Sequence, residues 1–227
     1  MRRCRPSLLV LGLVALAFLT AGTLLVDPPR VADAQSTPDP TARVIVTFGD
    51  SLTAGYGVTP AQAYPGRLHA RLAAEGYRYR MVNAGVSGDT TAGGLRRVDW
   101  ALSVKPSIAI VALGANDGLR GQSTVEMERN LERIVERFQS GGARVLLAGM
   151  RLPQNYGGRY AGEFERAFAQ AASRRGVVLM PFLLEGVGGE PSLNLPDGIH
   201  PTAEGHQIIA DRLWPYLVPM LSKSAVR

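Results

Sequence analysis

Apolar and polar positions follow two rhythms along this chain, and the two take turns. Val44-Ile45-Val46-Thr47-Phe48 is an unbroken β-branched and aromatic run that stops at Gly49, as a strand buried on both faces does. From about Ala61 to Glu75 the spacing lengthens, with Leu68 and Leu72 four apart, and predicts a helix. Tyr79 to Asn83 reads as a short strand. A small-residue helix through Val98 and Leu102 follows and stops before Pro106. Ser107 to Leu113 is a second buried strand. Ser123 to Phe138 is the clearest helix: Ser123 and Glu126 have the spacing of a capping box, and Met127, Leu131, Ile134, Val135 and Phe138 share one stripe. Arg144 to Ala148 predicts a strand, Tyr160 to Arg174 a helix and Val177 to Met180 a strand. Thr202 opens a last helix through Ile208, Ile209 and Leu213. Such alternation predicts an α/β fold, a parallel sheet with helices on both faces. Ligands of such sheets bind outside the carboxyl ends of the strands, so the residues just after each strand are the ones to inspect.

The first 34 residues do not join this alternation. Arg2, Arg3 and Arg5 precede an uncharged, apolar stretch from Ser7 to Val26, and small residues follow at Ala32-Asp33-Ala34. Basic, apolar, then A-x-A is the order of a secretory signal, so export with cleavage after Ala34 is expected. An uncleaved N-terminal anchor is the alternative, because the apolar run approaches the length that spans a bilayer. Residues 35–42 read as a disordered lead-in, 43–222 as one domain and 223–227 as a C-terminal tail.

Cleavage changes the composition. The whole chain of 227 residues has a net charge of +6, one cysteine and three histidines. The export segment holds four arginines and two aspartates, so its loss lowers the charge from +6 to +4, and Cys4 leaves with it. A chain with no other cysteine has no internal disulfide and no multi-cysteine metal site, so its core alone must hold it. The basic charge by itself suggests a nucleic-acid partner. The arginines, however, are scattered along helices with no aromatic–basic stacking surface, which argues against one.

Four polar clusters sit where the strands end. They are Gly49-Asp50-Ser51-Leu52 after the first, Asn83-Ala84-Gly85-Val86-Ser87-Gly88-Asp89-Thr90 after the second, Gly114-Ala115-Asn116-Asp117-Gly118 after the third, and Asp197-Gly198-Ile199-His200-Pro201 before the last helix. Ser51, on a tight glycine-flanked turn, is a candidate nucleophile. His200 is the candidate base, and Asp197 the carboxylate that orients it. Gly88 can bring its backbone N–H close to a substrate, Asn116 offers a side-chain amide and Ser51 its own N–H, three donors for a developing oxyanion. Each cluster alone also reads as a turn or a helix cap; the conjunction of four in this order is what points to catalysis. His69 and His206 read as structural or surface residues. A metal pair of His200 and His206 lacks the i, i+4 helical spacing.

The nucleophile elbow Gly-x-Ser-x-Gly is absent, since Gly49-Asp50-Ser51-Leu52-Thr53 ends in threonine. On the four clusters, and on Arg151-Leu152-Pro153-Gln154-Asn155-Tyr156-Gly157, the chain resembles the GDSL, or SGNH-hydrolase, family. It is most similar to the bacterial periplasmic branch of acyl-CoA thioesterase, lysophospholipase and arylesterase enzymes. The resemblance implies a three-layer flavodoxin-like fold with five parallel strands, and no cofactor or metal. It also implies Ser51, Gly88, Asn116 and His200 as the block residues, Asp197 as the triad aspartate, and structural roles for Asp50, Asp89 and Asp117. Ala115 departs mildly from relatives with a second glycine, and Glu185 to Leu195 is more glycine-rich than the aromatic versions of that loop.

The function expected is hydrolysis of acyl, aryl or lysophospholipid esters and acyl thioesters through an acyl-serine intermediate, with a small-molecule ester or thioester as partner. Leu119, Leu152 and Tyr156 are candidates to line an acyl groove, with loop packing as the alternative. An exported carbohydrate O-deacetylase of the same fold and a non-catalytic binding module are the competing readings.

Overall fold

The computed structural model describes residues 42–223. The readings of residues 1–34 as an export segment, of the lead-in through residue 41 and of the last four residues lie outside them. Five parallel strands, β1 (Arg43–Gly49), β2 (Tyr79–Gly85), β3 (Ile108–Ala112), β4 (Arg144–Ala148) and β5 (Val178–Met180), form one sheet in the order β2-β1-β3-β4-β5. The helices between them are α1 (Ser51–Ala54), α2 (Tyr64–Ala74), α3 (Thr91–Leu102), α4 (Ala115–Leu119), α5 (Thr124–Ser140), α6 (Gly158–Arg175) and α7 (Ala203–Leu217). The expected three-layer α/β fold is present.

The chain enters in the middle of the sheet, adds β2 on one side, then crosses back to build β3, β4 and β5 on the other. Right-handed crossovers then send α3, α5 and α6 to one face and α2 to the opposite one. The contacts agree, since α5 packs on α3 and α6, and α7 on α2. On α5 the five residues of the expected stripe are all buried. Phe138 meets Phe48 edge to face at 5.3 Å. Burying a side chain of this kind contributes about 1.5–3 kcal/mol, and the sheet centre is dense with them: Ile45, Val46, Phe48, Ile108, Ile110, Val111 and Leu146 are wholly buried.

Caps explain several boundaries. Thr202 accepts from the Gly205 N–H and starts α7, as its position predicts. Ser123 accepts from Glu126 N–H, one half of the capping box, while the Glu126 carboxylate turns to Arg129. Two short helices were expected as turns: α1 and α4 each hold only four or five residues, too few for any periodicity to show. Register matters most for function. Gly49 pairs with both Gly85 and Ala112, so β1, β2 and β3 end level and deliver the chain that follows each of them to one edge.

Candidate active site

Ser51 stands directly beyond the switch point between β1 and β3, where the connections diverge to opposite faces. It is the first residue of α1 rather than a turn residue, because the Asp50 carboxylate accepts from Leu52 N–H at 3.1 Å and caps the helix. Gly85 lets the end of β2 lie against α1 backbone to backbone; a Cβ there would run into the Ala54 nitrogen.

His200 comes from the far end of the chain on a tight loop. Asn194 bridges Pro201, Leu195 N–H donates to the His200 carbonyl at 2.7 Å, and Gly198 N–H donates back to Leu195. Asn194 is buried and donates from its amide to the carbonyls of Val187 and Glu190, which ties this loop to the glycine-rich segment before it. The result is a hydrogen-bonded line. Asp197 Oδ2 lies 2.7 Å from His200 Nδ1, and His200 Nε2 lies 2.8 Å from Ser51 Oγ. Asp197 Oδ1 accepts from the backbone N–H groups of His200 and Ile199. Those backbone bonds, and then the imidazole, lower the Asp197 carboxyl to about 2. A carboxylate ionised above about pH 2 favours the tautomer with the proton on Nδ1, which leaves Nε2 an acceptor facing the Ser51 hydroxyl.

The other candidates follow the ends of β2 and β3. Asn116, on α4, donates from its amide to the Asp89 carbonyl at 2.9 Å and approaches Asp50 Oδ2 at 3.4 Å. Gly88 occupies the turn after β2 with φ +78, a left-handed conformation that favours glycine, and its carbonyl accepts from Arg120. Asp117 accepts from both the N–H and the hydroxyl of Thr91, clamping the start of α3 to α4. Burial raises its pKa.

A cleft of about 460 Å³ opens at Ser51 and His200, walled mainly by apolar side chains including Leu119, Met150, Leu152, Phe182, Leu184 and Ile199. Leu119 and Leu152 therefore stand where the sequence suggested. Tyr156 does not: it is absent from the cleft wall, and its hydroxyl donates to the Leu119 carbonyl at 3.0 Å, bracing that loop.

Two neighbours of the site escaped the sequence reading. The Tyr56 ring lies against His200; its place five residues after Ser51 was the one available signal. Arg97, on α3, donates to the ends of both β1 and β2 and to the turn after β2, and nothing local in a helix of small residues marks it. Burial raises Asp50, beside Ser51, to about 7, and burial, with Arg67 adding to it, lowers His206 to about 4. His206 is wholly buried and accepts from Tyr64 N–H, a structural role as expected. Among the described residues no group of three or more His, Asp or Glu is arranged to hold a metal ion, and no described helix is long and apolar enough to cross a membrane.

Known proteins share this arrangement of sequence and fold. The model of the GDSL-like Lipase/Acylhydrolase family matches residues 47–208. Esterase TesA of Pseudomonas aeruginosa is 42% identical over 181 residues, which cover 79% of this chain and 90% of that protein. Thioesterase 1/protease 1/lysophospholipase L1 of Escherichia coli is 36% identical over 182 residues, 80% of this chain and 86% of that one. The crystal structure of the psychrotrophic esterase EstA from Pseudoalteromonas sp., inhibited by monoethylphosphonate, matches with a TM-score of 0.74 at 32% identity, covering 78% of this chain and 97% of that one. The chain belongs to the GDSL-like lipase/acylhydrolase family and is a hydrolase acting on ester bonds.

Proposed function

We propose that this hydrolase cleaves carboxylic esters and thioesters through an acyl-Ser51 intermediate. The observation that carries the reading is the single imidazole that bridges Ser51 Oγ and the Asp197 carboxylate at 2.8 and 2.7 Å. His200 Nε2 takes the Ser51 proton as Oγ adds to the substrate carbonyl carbon, and the negative charge moves to the carbonyl oxygen. Ser51 N–H, Gly88 N–H and the Asn116 amide are the donors for that oxyanion. Collapse of the adduct breaks the bond to the alcohol or thiol, which leaves with the proton from His200. Water then gives a proton to His200 and adds to the acyl carbon. The second adduct releases the acid, and Ser51 recovers its proton.

The apolar cleft wall supports acyl or aryl groups rather than a bare acetyl on a polar sugar, and so favours this reading over a carbohydrate O-deacetylase. The relatives named for esterase, thioesterase and lysophospholipase activities fit the same chemistry. A fluorophosphonate probe tests the mechanism: intact protein is labelled and Ser51→Ala is not, whereas equal labelling of both rejects Ser51 as nucleophile. Nitrophenyl esters of increasing chain length, run beside an acyl-CoA, a lysophospholipid and an acetylated sugar, test the substrate class. Turnover of the acetylated sugar alone would favour the deacetylase.

Export to the periplasm or beyond, with cleavage after Ala34, is proposed from the basic–apolar–A-x-A order of the N-terminus. N-terminal sequencing of the protein recovered outside the cytoplasm should read Gln35-Ser36; a retained Met1 would indicate the anchor instead.

A further inference from the structure

Arg97 has no counterpart in the reaction just described, yet its guanidinium is mostly buried and makes contacts in three directions. Nε donates to Asp89 Oδ2 at 2.6 Å, Nη1 to the Ala84 carbonyl at 2.8 Å and Nη2 to the Gly49 carbonyl at 2.8 Å. Its Cζ lies over the Phe48 ring, 4.1 Å from the centroid. The side chain is 19% exposed and its partner Asp89 11%. An arginine buried this far and satisfied at three points by planar acceptors is fixed in orientation, which a lysine's single ammonium cannot reproduce.

What these contacts hold is specific. The Gly49 carbonyl belongs to the peptide that leads into Asp50, the cap that sets the first turn of α1 and thus the direction of Ser51 N–H. Val86 N–H donates to the same carbonyl, so the exit of β2 is pinned to the exit of β1. The Asp89 carboxylate sits one residue beyond Gly88, and Asp89 N–H closes the Gly88 turn onto the Val86 carbonyl. The Asp89 carbonyl is the acceptor that aims the Asn116 amide. One guanidinium therefore reaches, at one or two removes, each of the three oxyanion donors, which come from three different strand ends.

We propose that Arg97 is a positioning residue that holds the three oxyanion donors in register with one another, an inference that rests on the reading of Ser51, Gly88 and Asn116 given above. Arg97 touches no substrate. Its effect falls on the transition state, because donors displaced by a few tenths of an ångström still admit the neutral ester but no longer converge on the charged oxygen.

The test uses the whole protein and Arg97→Lys, Arg97→Gln and Asp89→Asn variants, with kcat and KM measured on one nitrophenyl ester. Two inhibitors accompany it: an alkyl trifluoromethyl ketone and the matching alcohol. The ketone accepts Ser51 Oγ at its carbonyl carbon, the serine proton passes to His200 and the carbonyl oxygen becomes an oxyanion; the alcohol binds without any of this. Arg97→Gln should lower kcat about 10²-fold with little change in KM, and Arg97→Lys should fall between it and the parent. Ketone affinity should drop in proportion to kcat/KM across the series while alcohol affinity stays constant. Arg97 is not a positioning residue if kcat is unchanged, if kcat falls while the ketone still binds normally, or if ketone and alcohol weaken together. Where Arg97→Gln does not fold, Arg97→Lys and Asp89→Asn decide by the same criteria. Ser51→Ala separates the two readings. An active Ser51→Ala overturns the serine mechanism and this inference with it; an inactive one, beside Arg97 variants of parental kcat, overturns this inference alone.

Discussion

The rings of Tyr56 and His200 lie together with centroids 4.5 Å apart and planes tilted by 40°. Tyr56 is otherwise exposed, so the contact is made for the imidazole and not for the core. An aromatic pair of this kind is worth about 0.5–1.5 kcal/mol, which converts to about a 2- to 10-fold change in rate. Tyr56→Ala should lower kcat/KM on a nitrophenyl ester by that range without lowering the melting temperature, and Tyr56→Phe should keep the parental value. A Tyr56→Ala enzyme of full activity would show that the ring does not steady His200.

Asp197 supplies both of its oxygens, one to the imidazole and one to two backbone N–H groups. In Asp197→Asn the amide oxygen can still serve the backbone, so the loop folds as before. The NH2 group then faces Nδ1, forces the wrong imidazole tautomer and lifts Nε2 out of its role as base. The expected loss in kcat is about 10³–10⁴-fold, the scale of the analogous change in a serine protease triad, with unchanged circular dichroism. Activity within a few-fold of the parent would mean that another group orients His200.

Two buried groups give opposite pH slopes to stability. Asp50 keeps its proton up to about pH 7 in the folded chain against an ordinary value of 3.8, so its contribution is present at low pH and is lost as pH rises from 3.8 to about 7. His206 takes a proton only near pH 4 when folded against 6.5 when unfolded, so its contribution is present above 6.5 and is lost as pH falls towards 4. The two slopes oppose each other between about pH 4 and 7, and Asp117, whose pKa burial also raises, adds to that of Asp50. His206→Asn, which keeps an acceptor for Tyr64 N–H, should show stability falling as pH rises through that window. Asp50→Asn, which keeps the cap on Leu52, should show it rising. Two variants that parallel the parent would disprove the opposition.

Gly188 lies in the cleft wall in a backbone conformation open to any residue, and a Cβ there would meet Phe182 Cζ at 3.2 Å and Leu184 Cβ at 3.4 Å. Gly188→Val should therefore narrow the cleft. Each acyl methylene shut out forfeits about 0.8 kcal/mol, or about fourfold in kcat/KM. The ester series should keep its short-chain rates and decline sooner with length. An unchanged chain-length profile would place the acyl chain elsewhere.

Much of this protein is legible along the chain because it is encoded locally. The strands follow from short apolar runs and the long helices from a period of 3.6 residues, and the starts of α5 and α7 from Ser123 and Thr202. The serine, histidine, aspartate and asparagine clusters show themselves because each falls directly after a strand or before a helix. Their meeting is not local. Ser51 and His200 are 149 residues apart, and their contact depends on β1, β2 and β3 ending level and on the bridge from Asn194 to Pro201. The same level ends let Arg97 reach β1 and β2 at once, while packing in space takes the Tyr156 hydroxyl to the Leu119 carbonyl and sets Tyr56 beside the imidazole. Side-chain period and capping are properties of neighbours in sequence, so the sequence alone determined the elements and the reacting groups. Register and crossover packing belong to neighbours in space, so only the tertiary structure decided which side chains meet.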